Sequence, residues 1–346
     1  MDRTELQMKV YRVDRAGNPD YLTQHDEPVP QPQRGEVLVR IRATSLNYRD
    51  IAMLNGTYPR GQRAGLIPTS DAAGEIVAIG EGIDMFEVGS RVINTFHPRW
   101  YGGSPPATLK TDGYGWSRDG WLAEYKVVHQ EALVAAPAHL TFEEAATLPC
   151  AALTAWTALT GGLPVRPGHT VLTQGTGGVS VFAIQFAKLL GARVIATTSS
   201  VTKADRLKAL GADEVINYLD LPEWGKKTRE LTGGRGVDRV VEVGGSGTLR
   251  QSIDAVAAGG EVVLIGFLNG ATPEVDFKAL FNSAAVFRRS SAGDRSALLN
   301  MLQAMEYARL KPVVDSVFPF ERAIEAWRFF ERRRFFGKVV IANGGA

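Results

Sequence analysis

Between Met8 and about Pro137, apolar and polar residues alternate in short runs separated by turn residues. GEVLVRIRATS at 35–45 shows the pattern clearly: Val37, Val39 and Ile41 fall on one side of an extended chain, and Leu38, Arg40 and Arg42 on the other. AAGEIVAIGEG at 72–82, VGSRVIN at 88–94 and WLAEYKVV at 121–128 continue it. Period-two segments at this spacing predict a mainly antiparallel, barrel-like β region over the first third of the chain. One helix interrupts it, NYRDIAMLNG at 47–56, with Asn47 at its N-terminal cap and Gly56 near its end.

After Pro137 the rhythm changes. Strand-like runs (TVLTQ, RVIATTS, EVIN, RVVEV, EVVLIGF) alternate with helical ones (VSVFAIQFAKLLG, KADRLKALG, LRQSIDAVAAGG). In the first of these helices Val179, Phe182, Ala183, Phe186 and Leu190 form one apolar stripe. This alternation implies βαβ units and a parallel sheet, so the fold class expected is α/β. Beyond Phe281 the pattern predicts an edge strand in AVFRRSS at 285–291, two helices at 294–309 and 320–333, and a last strand in KVVIAN. The run RFFERRRFFGK at 328–338 reads as a helix with one buried and one solvated face.

A chain of 346 residues has the length of about two domains. With 39 basic against 37 acidic residues, a net charge of +2 gives no electrostatic basis for nucleic acid or an acidic membrane, and a small molecule becomes the expected partner. The lone Cys150 excludes an intramolecular disulfide and suits a reducing compartment. MDRTELQMKV lacks the apolar core of a signal peptide, and no apolar run reaches the roughly 18 residues of a membrane span, so a cytoplasmic location is expected.

The segment TVLTQGTGGVSVFAIQFAK places a glycine loop between a buried strand and an amphipathic helix. Gly175 permits a tight turn, Gly177 lets a pyrophosphate approach the backbone, and the helix starting near Gly178 aims free N–H groups and a positive dipole end at phosphates. Thr176 and Val179 complete this expected dinucleotide loop, with Ser180 at the third fingerprint position, where glycine is usual. About 20 residues on, ATTSSVTKADR carries no acid before Asp205 to take a ribose 2′-hydroxyl. Ser199, Ser200 and Lys203 could instead hold a 2′-phosphate, which favours NADPH over NADH. Gly244 and Gly245 end one predicted strand and Gly266 and Phe267 the next, and ligands of parallel sheets bind beyond such ends.

In order along the chain, GEVLVRIRATSLNYRDIAMLNGTYP, SDAAGEIVAIGEGIDMFEVGSRV, WLAEYKVV, LPCAALTAWTAL, GTGGVS and LKALGADEVINY resemble the medium-chain dehydrogenase/reductase superfamily over nearly the whole sequence. The resemblance implies a GroES-like catalytic domain at 1–135, a Rossmann domain at 136–279, and a C-terminal segment at 280–346 that returns to the catalytic domain. It further implies an active site in the cleft and a homodimer, for which AVFRRSS is the candidate edge strand. In the branch that uses catalytic zinc, a Cys would stand at Asn47 and a His-Glu pair at Ser70-Asp71; only Cys150 matches a ligand position. The chain therefore resembles the zinc-independent branch of quinone and enoyl reductases, and no metal is expected.

Hydride transfer to a quinone or a carbonyl-conjugated C=C bond asks for hydrogen-bond donors at the developing enolate and a proton source. On this resemblance Tyr58 is the candidate proton donor or carbonyl orienter, Asn47 contacts the nicotinamide ribose or the substrate carbonyl, and Asp50 orients its neighbours. Thr154 would lie against the nicotinamide and Lys338 would touch the cofactor. The aromatics Phe96, Trp100, Tyr101, Tyr114 and Trp116 are candidates for an apolar wall. Two other readings stay open: an alcohol dehydrogenase or carbonyl reductase of the same fold, and an NADPH-binding protein without turnover.

Overall fold

The computed structural model describes residues 6–344 except 16, 59–63, 269 and 271–275. The chain divides into two compact units, Met1–Ala151 with Gly293–Ala346, and Ala152–Ala292. These limits differ from the 135 and 279 expected from the resemblance. Thr141 caps a short helix at Phe142–Ala145 that packs on the strands of the first unit, and the strand at Val286–Arg289 belongs to the sheet of the second.

The first unit contains β1 (Gln7–Val13), β2 (Leu22–Pro28), β3 (Glu36–Ser45), α1 (Tyr48–Leu54), β4 (Asp71–Ile79), β5 (Arg91–Asn94), β6 (Tyr125–His129), β7 (Leu133–Ala135) and α2 (Phe142–Ala145). In the second unit α3 (Leu153–Thr160) leads into β8 (Thr170–Gln174), α4 (Gly178–Leu189), β9 (Arg193–Thr198), α5 (Val201–Ala209), β10 (Glu214–Asn217), α6 (Trp224–Leu231), β11 (Val237–Glu242), α7 (Leu249–Ala255), β12 (Val256–Leu264), α8 (Phe277–Asn282) and β13 (Val286–Arg289). The chain then returns to the first unit with α9 (Arg295–Tyr307), β14 (Val314–Pro319), α10 (Ala323–Glu331) and β15 (Lys338–Ala342).

The main sheet of the first unit runs β14-β15-β3-β4-β5-β7, with β6 also on β3. It is antiparallel apart from the β14–β15 pair. Because β3 sits in the middle, Leu38 is buried along with Val37 and Val39, so the alternation expected of this strand is only partly kept. The core beneath the sheet is built around Trp121, Trp327 and Phe330, the last two from the buried face of α10. Arg332, Arg333 and Arg334 stay exposed, which is the two-faced reading of the basic run.

The second unit holds a six-stranded, all-parallel sheet of order β10-β9-β8-β11-β12-β13. In order of appearance this is 3-2-1-4-5-6, the doubly wound arrangement, with its switch point between β8 and β11. The structure thus agrees with the α/β fold read from the pattern, and with the GroES-like region and Rossmann sheet that the resemblance implied. Helix α4 is buried more widely than one stripe, since Val181, Ile184 and Ala187 are enclosed as well. AVAAGG, expected in a helix, opens β12 instead: Val256 pairs with Val237, and Gly259, at φ +74°, donates to Ala284 O. β13 is the sheet edge, where AVFRRSS was expected to be. β14, which the pattern did not mark, forms one edge of the first unit's main sheet.

Candidate active site

In the first unit a buried polar cluster joins α1, the start of β4, the end of the chain and the turn before α3. Asn47 caps α1 through its backbone N–H, which donates to Asp50 Oδ2 at 2.8 Å. Its side chain faces elsewhere: Nδ2 donates to Asp71 Oδ2 at 3.0 Å, and Oδ1 accepts from Lys338 Nζ at 2.6 Å. Lys338 also donates to Leu46 O at 2.6 Å. Asp71 accepts from Ser70 Oγ at 2.7 Å and from the Cys150 backbone N–H at 3.1 Å. Thr69 holds this turn at φ +70°, a conformation that costs a non-glycine residue about 1–3 kcal/mol. The turn is clamped by Thr44, whose hydroxyl donates to Asp71 O and is hydrogen-bonded to Thr69 Oγ1, and by Asn94, which bonds Ser70 O and Ala72 N.

Burial governs the protonation of this cluster. It pushes Asp50 up to about 6, helped by the Asp71 charge and opposed by Arg49 and Lys338. It also raises Asp71, against Lys338 and the hydrogen bonds from Asn47 and Ser70, and it lowers Lys338 against the two carboxylates. The Cys150 thiol is pushed up, first by burial and then by Asp71. Arg49, next to Asp50 on α1, donates to Tyr114 O at 3.0 Å and lies over the Phe96 ring at 5.1 Å.

The second unit builds a different site at its switch point. Gly175 takes φ +70° directly after β8, and its N–H is tied to Thr197 O at 2.9 Å. A Cβ at Gly175 or Gly177 would meet nothing within 4 Å, so the loop is open where a phosphate would approach. Gly177 begins α4 with no side-chain cap, which leaves first-turn N–H groups for an anion. Ser180 Oγ, at the departing fingerprint position, donates back to Gln174 O at 2.6 Å.

Beside this loop the Glu242 carboxylate, buried at the end of β11, accepts from Gly244 N, Gly245 N, Thr248 Oγ1 and Gln174 Nε2 at 2.5–2.9 Å, and from Ser252 Oγ. Gln174 Oε1 in turn accepts from Val243 N and Gly244 N. The ends of β8 and β11 are therefore locked together at the point where a parallel sheet binds its ligand. The loops after β11 and β12 also touch, with Ser246 N donating to Gly270 O at 3.0 Å. These residues fit a dinucleotide: an open glycine turn, uncapped helix N–H groups and a rigid floor.

Comparison with known proteins agrees with both descriptions. Residues 33–138 match the model of the alcohol dehydrogenase GroES-like domain, and residues 178–306 that of the zinc-binding dehydrogenase. A zinc-type alcohol dehydrogenase-like protein of Schizosaccharomyces pombe is 41% identical over 93% of this chain and 95% of its own. This chain belongs to the medium-chain dehydrogenase/reductase superfamily. It is an oxidoreductase, and its relatives at 28–30% identity carry the names quinone oxidoreductase, acryloyl-coenzyme A reductase and alcohol dehydrogenase. A solved NAD-dependent alcohol dehydrogenase superposes with a TM-score of 0.88 at 37% identity, covering 97% of this chain and 100% of that one. A mycobacterial protein solved with NADPH superposes at 0.82 and 29%, with the same coverage. The superfamily thus supplies a nicotinamide cofactor, and the two neighbours differ in which one.

Within this superfamily some members bind zinc, and the residues here do not fit it. Among the described residues no group of three His, Cys, Asp or Glu side chains could hold a metal ion. Asn47 and Ser70 are neutral, the Cys150 thiol is driven away from thiolate, and each Asp71 oxygen is already engaged by a donor of the cluster.

Of the residues picked from sequence, Asn47, Asp50 and Lys338 come together in the first unit. Lys338 spends two of its three N–H groups inside that cluster. Tyr58 stands half-buried on the turn after α1, its backbone N–H bonded to Ala52 O at 2.9 Å. In the second unit Gly175, Thr176, Gly177, Gly178 and Val179 form the loop, Gly244 and Gly245 adjoin it, and Gly266 and Phe267 follow β12. Ser199 is exposed after β9, while Ser200 caps α5 by accepting from Lys203 N at 3.3 Å. Thr154 is buried in α3 of the same unit. Sequence reasoning passed over Gln174, Glu242 and Arg49. The signal for the first two was a polar residue closing an otherwise apolar strand, in TVLTQ and RVVEV.

Proposed function

We propose that this protein is an NADPH-dependent, metal-free reductase that delivers hydride to a quinone or to a C=C bond conjugated to a carbonyl. The observation that carries the reading is the Asn47–Asp71–Lys338 cluster, which fills with internal hydrogen bonds the positions where metal ligands would be needed. Without a Lewis acid, an activated double bond is an easier acceptor than an alcohol is a donor, because only an enolate oxygen has to be stabilised.

The reduced nicotinamide supplies the hydride when bound. The open turn at Gly175–Gly178 receives the pyrophosphate, and the locked Gln174–Glu242 floor keeps that turn in place. Preference for NADPH rests on Ser199, Ser200 and Lys203 together with the missing acid after β9. Lys338 and Asp71 hold Asn47 in one orientation, and Lys338 has one N–H left for a cofactor or substrate oxygen. On this reading Tyr58, on the turn after α1, is the proton donor or carbonyl orienter. The exposed edge strand β13 is the surface through which a homodimer would form.

The alternative, an alcohol dehydrogenase or carbonyl reductase, is favoured by the names of the S. pombe relative and of the 37%-identical structure. A screen of nicotinamide oxidation across quinones, enones, enoyl thioesters and aldehydes, with and without chelator, separates the two. Turnover of quinones or enones that ignores the chelator is expected. Loss of activity on chelation with recovery on adding zinc overturns the reading. A Lys203→Ala variant is expected to lower the NADPH-to-NADH preference about tenfold, the size of one lost charged contact.

A further inference from the structure

Reduction of a conjugated carbonyl places negative charge on the carbonyl oxygen, and the first unit must supply something to face it. Two cations adjoin the Asn47 cluster. Lys338 is 2% exposed and gives two of its three N–H groups to Leu46 O and Asn47 Oδ1, which leaves it a single donor. Arg49 differs. It is only half-buried, and of its five N–H donors one meets a carbonyl, Tyr114 O at 3.0 Å, while another points at the weak acceptor Met53 Sδ at 3.7 Å. Among the described residues no carboxylate oxygen lies within 4 Å of it, whereas Arg12 and Arg42 of the same unit, similarly half-buried, are paired with Glu27 and Glu75. Its charge still acts on Asp50 and on Cys150, which places it beside the cluster. Its guanidinium carbon lies over the ring of Phe96, one of the aromatics expected to form an apolar wall. Nearby, Asp50 Oδ1 is buried without a hydrogen-bond partner, so this corner of the unit is not closed upon itself.

We propose that Arg49 is the oxyanion-binding group of the first unit: its free N–H donors take the carbonyl oxygen of the acceptor and hold the charge that oxygen acquires during reduction. This rests on the reductase reading above. The acceptor gains a hydride at its β-carbon from the reduced nicotinamide, which leaves oxidised; the π electron pair of the C=C bond shifts to become the new C=C bond of an enolate, and the carbonyl pair moves onto oxygen. Arg49 faces that oxygen. A proton from Tyr58 or water then bonds to the α-carbon, the C=O is restored, and the net change is addition of two hydrogens across the double bond. A guanidinium stays charged throughout the working pH range, so this stabilisation needs no proton of its own.

The test uses the whole chain with NADPH and three variants, Arg49→Met, Arg49→Lys and Arg49→Ala. Arg49→Met is expected to lower kcat for an enone by about 100-fold, as loss of an oxyanion donor does, with KM changed less than about fivefold. Arg49→Lys is expected to keep about a tenth of the wild-type kcat, and methylguanidinium added to Arg49→Ala to restore activity saturably, which a packing role would not produce. Independently of turnover, butyrate serves as a stable probe of the charged oxygen: calorimetry should show it binding at least about tenfold more weakly to Arg49→Met than to wild type. Equal kcat in wild type and Arg49→Met, or butyrate binding that does not depend on Arg49, overturns the proposal while leaving the reductase reading in place. If no acceptor oxidises NADPH in wild type, the reductase reading falls, and the butyrate result alone decides whether Arg49 holds an anionic oxygen.

Discussion

Asp50 offers a direct measure of how much the buried cluster costs the fold. Its Oδ2 accepts from Asn47 N, its Oδ1 has no partner, and burial holds its folded-state value near 6, against an ordinary 3.8. Between those two values the folded chain binds the proton more tightly than the unfolded chain, so its contribution to stability declines as pH rises from about 4 to 6. Above that window the loss amounts to about 3 kcal/mol, from some two pH units at 1.36 kcal/mol each. Asp50→Asn keeps an acceptor for Asn47 N and never ionises. Relative to wild type the variant should therefore change little below pH 4 and gain about 3 kcal/mol above pH 7, equivalent to roughly 6–12 °C in the melting of its unit. Urea unfolding of both proteins from pH 4 to 8, following the transition of the first unit, measures the difference. Parallel curves, with a gap constant to about 0.5 kcal/mol, would falsify the argument.

Two further outcomes follow from the second unit. Arg239, itself held down to about 10 by burial, lies 2.7 Å from Glu261 Oε2, and Arg288 Nε donates to Oε1 at 2.6 Å. Glu261→Ala strands two guanidinium groups and should cost about 3–5 kcal/mol in equilibrium unfolding, and a loss under 1 kcal/mol would show the network to be dispensable. Gly175→Ala forces a Cβ onto a residue at φ +70° and into the open side of the loop. Fluorescence titration is expected to give about tenfold weaker NADPH binding, with a stability loss of about 1–2 kcal/mol; unchanged affinity would remove the pyrophosphate from this turn.

The second unit was the more legible from sequence. TVLTQ and RVIATTS are strands close to where their apolar runs lie, because an inner parallel strand is buried on both faces; EVIN, at the sheet edge, is only partly buried but lies where its Val-Ile pair marks it. AVAAGG misled for a physical reason: alanine favours a helix, but pairing with β11 and the positive-φ turn at Gly259 draw the segment into β12. In the first unit the cap at Asn47 could be read locally, since it depends on residues three apart. The partners of its side chain could not. Asp71 and Lys338 are 24 and 291 positions away, and no local period encodes such a meeting. Arg49 was hidden among ordinary helix positions, because only the carbonyl and the ring around it distinguish it from a solvated arginine.

The pairing of β15 with β3 makes the first unit a late product of translation. Ser45 waits for Val340, and Asn47 for Lys338, until β15 has been made, and β15 follows every strand of the second unit along the chain. Until then β3 is covered by β4 on one side and by β6 along Glu36–Arg40 on the other, and only its Ala43–Ser45 end stays bare. Newly made, the protein would be a finished Rossmann body tethered to an open sheet, a nascent state for holdase chaperones to shield.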